Sequence, residues 1–169
     1  MAEQAKTRVM LLTGIPASGK SVFGQWLEKS KGFLFLNVEH GALDRLGLKA
    51  AWDGMFSGTG TAEQFVQELT RLQRLVVLDW GFPVHCLPIV EALQQAGVEA
   101  WWFDGNREAA RQSFVRRGTV PIELFDKQLS GIEREWAAIQ RTFRGHILKS
   151  IRSGPAYPRP QTLFARLSR

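Results

Sequence analysis

Eight consecutive residues carry the clearest chemistry in the chain: Gly14, Ile15, Pro16, Ala17, Ser18, Gly19, Lys20 and Ser21. A glycine, four residues, then Gly-Lys-Ser is the spacing at which backbone N–H groups turn inward around phosphate oxygens. A helix opening at Lys20 would add its positive end to that cradle. In such a loop the lysine reaches the β- and γ-phosphates of a nucleotide and the serine hydroxyl binds Mg²⁺. All eight residues are therefore candidate nucleotide-binding positions. Lys20 is also a catalytic candidate, and Ser21 a metal ligand.

Carboxylates at strand ends supply the complementary chemistry. Asp79 closes the apolar run "LVVLD" and can hold Mg²⁺ directly or through water, which makes it both a catalytic and a metal candidate. Glu39 follows "FLFLNV", where a carboxylate can accept the proton of an attacking hydroxyl. Asn37 and Asp44 are alternatives for that base, and Arg45 is a possible anchor for an anionic acceptor. Asp104 is followed by "GNRE" and reads as turn chemistry. Among the arginines of "NREAARQSFVRRGT", the pair Arg116 and Arg117 is the best candidate for a catalytic lid that neutralises charge on a transferring group. Arg107 and Arg111 read equally well as helix-surface charges. His40, His85 and His146 have no metal-binding spacing. Trp101 and Trp102 read as packing, whereas Trp52 and Trp80 are candidates for an acceptor pocket.

These residues need a scaffold that brings them to one rim. Short apolar runs alternate with amphipathic segments, the pattern of parallel α/β architecture. Strands are predicted at Arg8–Thr13, Phe33–Val38, Leu75–Asp79, Val98–Phe103 and His146–Ile151. Helices are predicted from Lys20 to about Lys31, from Thr61 through a capping box with Gln64, from Pro83 to Gln95, and from Asn106 to Arg117. A longer helix runs from Pro121 to about Phe143, weakened at Gly131, and a last one covers Gln161–Leu167. Between Glu39 and Gly60 the pattern is weak: a short helix through Leu46, then a glycine-rich loop at Asp53–Gly60. Five strands with helical crossovers make a three-layer α/β/α sandwich whose ligands sit beyond the carboxyl ends of the strands.

With 169 residues, 44% of them hydrophobic, the chain reads as a single domain with an ordinary core. It lacks an apolar span of bilayer length, and "MAEQAKTR" has no signal-peptide core, so a cytoplasmic location is expected. One cysteine, Cys86, reads as a packed hydrophobe. The charge is uneven. Residues 101–169 hold thirteen Lys and Arg against six Asp and Glu, a net of +7, while residues 1–100 are near neutral. Either an anionic nucleotide or a nucleic acid explains such an excess.

Together, "GIPASGKS", an acidic strand-2 end, "VVLDWGF" and a helix ending "RRG" resemble the small P-loop kinases. The likeness runs from about Arg8 to Glu135 and is greatest to the zeta-toxin, chloramphenicol phosphotransferase and polynucleotide 5′-kinase branch. It implies a P-loop NTPase fold with five parallel strands in the order 2-3-1-4-5, and ATP as donor with Mg²⁺. It further implies a basic lid at about 107–135 carrying Arg116 and Arg117, and an acceptor base after strand 2, which maps onto Glu39. The loop Ser153–Arg159 would flank the adenine. "DWGFP" is also similar to the "DGFPR" of adenylate kinases, but Trp80 interrupts the pattern and Val84 replaces its arginine.

The residues and the resemblance thus favour an ATP-dependent kinase for a small hydroxyl- or phosphate-bearing acceptor. A nucleotide-binding switch and a nucleic-acid end-kinase are the alternatives. A Ras-like GTPase is disfavoured, since no "NKxD"-like segment is present.

Overall fold

A computed structural model describes residues 7–81, 84–118, 120–151 and 158–168. Five strands, β1 (Arg8–Gly14), β2 (Leu34–Asn37), β3 (Leu75–Asp79), β4 (Glu99–Gly105) and β5 (Ile147–Ile151), form one parallel sheet in the order β2-β3-β1-β4-β5. The expected order is therefore the observed one. Strand residues alternate between the two faces, as the two-residue period of a strand requires. Val9 and Leu11 of β1 face one hydrophobic cluster, and Met10 and Leu12 face the other.

Two helices, α1 (Lys20–Lys31) and α9 (Pro160–Leu167), cover the second of these faces through Phe23, Leu27, Leu163 and Leu167. The opposite face is covered by α2 (Ala42–Arg45), α3 (Lys49–Ser57), α4 (Ala62–Leu72), α5 (Leu87–Gln95), α6 (Arg107–Arg117), α7 (Ile122–Arg134) and α8 (Trp136–Thr142). A 3-10 turn at Val84–Cys86 leads into α5 and buries Cys86, whose thiol is pushed up by burial. No helix among the described residues is long and apolar enough to cross a membrane.

Local signals explain several boundaries. Thr61 and Gln64 form the expected capping box, with Thr61 N donating to Gln64 Oε1 at 2.9 Å and Gln64 N to Thr61 Oγ1 at 3.3 Å. Asn106 caps α6 through Ala109 N at 2.8 Å, and Gly118 ends it with φ 63°.

The structure corrects the sequence reading in three places. The glycine-rich segment Asp53–Gly60 is mostly helix, because α3 continues to Ser57 before Gly58 ends it. Gly54 within that helix is a packing glycine: a Cβ there would lie 3.3 Å from the backbone N of Gly60. The long helix to Phe143 is two, α7 and α8, separated at Glu135 rather than weakened at Gly131. Trp136 then packs edge-on against Trp102 at 6.2 Å between ring centroids. Trp52 and Trp80, expected at an acceptor pocket, instead pack together in the core. Both are buried, their rings 4.8 Å apart in an edge contact, in a cluster with Phe56 and Phe65.

Candidate functional site

The phosphate loop is shaped by a close crossing of two strands. Ile15 N donates to Phe103 O at 3.0 Å, and at Gly14, with φ 137°, a Cβ would overlap that same carbonyl. Only glycine fits there. Ala17 (φ 57°) and Gly19 (φ 84°) both adopt left-handed conformations, alternating as in an anion-binding nest, and Gly19 caps α1. The Ile15 side chain points into the core, so that residue contributes backbone only.

Lys20 is buried, and its Nζ donates to Ile15 O at 2.8 Å and Ser18 Oγ at 3.2 Å. Burial lowers its pKa to about 8. Asp79 and Glu39 oppose that effect, and Arg117 adds to it. The ammonium thus sits folded against its own loop, in a place where an anion would be strongly stabilised.

Asp79 ends β3 in register with Leu12 of β1 and Asn37 of β2. The buried carboxylate accepts from Ser21 Oγ at 2.5 Å and from Asn37 Nδ2 at 3.4 Å. Two hard oxygen donors side by side suit a cation that keeps most of its water, as Mg²⁺ does. Asn37 therefore supports Asp79 and, through its Oδ1, accepts from Glu39 N at 3.0 Å. The Glu39 carboxylate lies against the Cα of Gly81, where a Cβ would collide with Oε1.

One open cavity of about 740 Å³ joins these groups. Gly14, Lys20, Ser21 and Asp79 line one part, and Glu39, His40 and His85 another, with Arg117, Lys127 and Arg134 on the helical wall. A second, more apolar cavity of about 360 Å³ adjoins the loop, walled by Val22, Phe23, Pro158, Pro160 and Leu163. Arg117 borders both. The expected adenine-flanking segment Ser153–Arg159 lies outside the described residues through residue 157, as do Phe82 and Pro83 of "DWGFP".

Other candidates are separated from this centre. Arg116 is exposed and lines neither cavity. Asp44 and Arg45 lie on α2, with Arg45 Nη1 donating to His40 O at 3.4 Å. Asp104 is buried between Arg107 and Lys149. Despite burial, hydrogen bonds from Lys149 and Arg107 hold its carboxyl below the usual range. Arg111 pairs with Asp126 at 3.3 Å. His146 stacks on Trp101 at 4.2 Å.

Sequence reasoning missed His40, His85, Lys127 and Arg134 as cavity residues. Lys127, Gly131 and Arg134 recur at four- and three-residue intervals, which places them on one helix face. The histidines gave no signal, because the turns at the cavity rim, not spacing, aim them.

No protein-family model and no curated protein sequence matches the chain. Solved structures match its fold. Shikimate kinase from Acinetobacter baumannii in complex with shikimate aligns with TM-score 0.59 at 18% identity, covering 98% of this chain and 92% of that one. Shikimate kinase from Bacteroides thetaiotaomicron aligns with TM-score 0.53 at 14% identity, covering 84% and 85%. The chain therefore has the fold of the small P-loop kinases.

Proposed function

We propose that the chain is an ATP- and Mg²⁺-dependent kinase that phosphorylates a small acceptor. The observation that carries this reading is the shared cavity, in which the phosphate loop and the Glu39 carboxylate face one space. A switch protein needs the loop alone, whereas a transferase needs donor and acceptor groups in one enclosure. The likeness to a shikimate kinase in complex with shikimate supports the reading at the level of fold. Within that fold, the motifs "GIPASGKS", "VVLDWGF" and "VRRG" favour the branch of zeta toxins, chloramphenicol phosphotransferases and polynucleotide 5′-kinases.

Each residue then has a role. The backbone of Gly14–Ser21 holds the phosphates and Lys20 neutralises them. Ser21 and Asp79 hold the metal. The apolar cavity beside Val22 and Leu163 takes the base. Bound ATP would supply the phosphoryl group and leave as ADP, and Mg²⁺ would offset the charge. Glu39 accepts the proton of an attacking acceptor hydroxyl, and Arg117 stabilises charge at the centre. Residues 107–135 form the lid of a single domain, and closure excludes competing water. A cytoplasmic setting supplies the ATP.

The test is an acceptor screen that follows ATP-to-ADP conversion in the wild type and in Lys20→Ala. At least one class of small hydroxyl or phosphate compound should raise wild-type turnover well above the variant. If ATP binds but no acceptor does so, the loop serves a switch.

A further inference from the structure

One buried hydroxyl outside the phosphate loop is hydrogen-bonded to the loop's backbone. In the ladder between β4 and β5, Phe103 pairs with Leu148, Asp104 with Lys149, and then Gly105 with Ile151. Ser150 is thus an extra residue, a bulge in a parallel pair, and bulges redirect side chains. At Gly105 a Cβ would come within 2.5 Å of Ile151 O, so the tight approach relies on glycine. The redirected Ser150 side chain is buried, with its Oγ 2.9 Å from Ser18 O and 3.1 Å from Asp104 O. Its single proton is shared between a strand carbonyl and a carbonyl of the phosphate loop 132 residues away in sequence.

We propose that Ser150 is a positioning residue for the nucleotide phosphates. In a planar trans peptide the C=O and the following N–H point in opposite directions. A bond from Ser150 to Ser18 O therefore turns the Gly19 N–H away from β5 and toward the anion side of the loop. The flanking left-handed residues Ala17 and Gly19 make this peptide the middle of the nest. Without the hydroxyl, the Ser18–Gly19 peptide can rotate and present a carbonyl where a phosphate oxygen belongs. The inference rests on the reading that this loop holds ATP.

Ser150 also borders the apolar cavity proposed for the base, so the test must separate phosphate effects from base effects. Affinities are measured by calorimetry for ATP, inorganic tripolyphosphate and adenosine, with the wild type, Ser150→Ala and Ser150→Thr. Ser150→Ala should weaken ATP and tripolyphosphate by about tenfold, the effect of one hydrogen bond, and leave adenosine unchanged. Ser150→Thr, which keeps the donor, should restore the phosphate-bearing ligands to within about threefold. Should Ser150→Ala fail to fold, Ser150→Cys carries the same comparison, because it keeps the volume and donates only weakly. Equal loss for all three ligands, or no loss, overturns the positioning role. A wild type that binds neither ATP nor tripolyphosphate overturns the nucleotide reading itself, and this inference with it.

Discussion

Lys20 is held in a way that costs the folded protein stability and serves the ligand. Its folded pKa of about 8 lies below the ordinary 10.5, with burial as the main cause. For a base, a lowered value means that the charged form is disfavoured in the folded state. The cost is complete below about pH 8 and fades as pH rises toward 10.5, where the unfolded chain also loses its proton. The shift corresponds to roughly 3 kcal/mol, less about 1 for the hydrogen bond that an apolar replacement gives up. Lys20→Met should therefore make the nucleotide-free protein about 2 kcal/mol more stable at pH 7, and the gap should close by about pH 10. Urea unfolding of both proteins across that range measures it. A gap that does not change with pH would mean that Lys20 is not desolvated. The motif made Lys20 legible from sequence, since the loop's spacing is local. Its electrostatic setting was not, because the charges acting on it, Asp79, Glu39 and Arg117, arrive from three other parts of the chain.

Element ends decide which residues reach the cavity. At the end of α6 both Arg116 and Arg117 are exposed, but Arg117 borders both cavities and Arg116 neither, since successive residues differ by about 100° around the helix axis. Arg117→Ala should lower kcat by roughly 10³-fold, whereas Arg116→Ala should stay within about threefold. Steady-state kinetics with the acceptor found by the screen distinguishes them, and equal losses would remove Arg117 from the centre. Just past β3, Gly81 leaves room for the Glu39 carboxylate. Gly81→Ala should displace that carboxylate and cut kcat by about 10²-fold, with the KM for ATP within about twofold, since Ser21 and Asp79 are untouched. A matching rise in the KM for ATP would point to collapse of the whole rim instead. Capped helices were legible because Thr61, Asn106 and Gly118 act within one turn. The helix at Lys49–Ser57 was not, because Gly54 serves its contact with Gly60 rather than a turn. The division at Glu135 was equally hidden, since Trp136 and Trp102 are far apart in sequence.

Across the whole molecule, the described cations of the last third are divided rather than pooled. Helices α6, α7 and α8 pack on one face of the sheet, and α9 packs on the other, so their cations lie on opposite sides. Arg107 and Lys149 are committed to Asp104, and Arg111 to Asp126. What remains at the cavity is Arg117, Lys127 and Arg134, a cluster the size of a small anion rather than a stripe that tracks a polynucleotide backbone. Binding of ATP should then weaken only gradually with salt, because few charges are neutralised. A single-stranded oligonucleotide of about 20 nucleotides should fail to compete at about 50 mM salt as well as at about 150 mM, whereas a protein making several phosphate contacts would bind it at the lower salt and lose affinity steeply at the higher. Competition titrations at about 50 and 150 mM salt provide both readings. Steeply salt-dependent displacement of ATP, together with phosphate transfer to the 5′ end of the strand, would move the acceptor from a small molecule to nucleic acid. The division of charge between the two helical layers argues against that outcome, because a strand long enough to meet both would have to pass around the edge of the sheet.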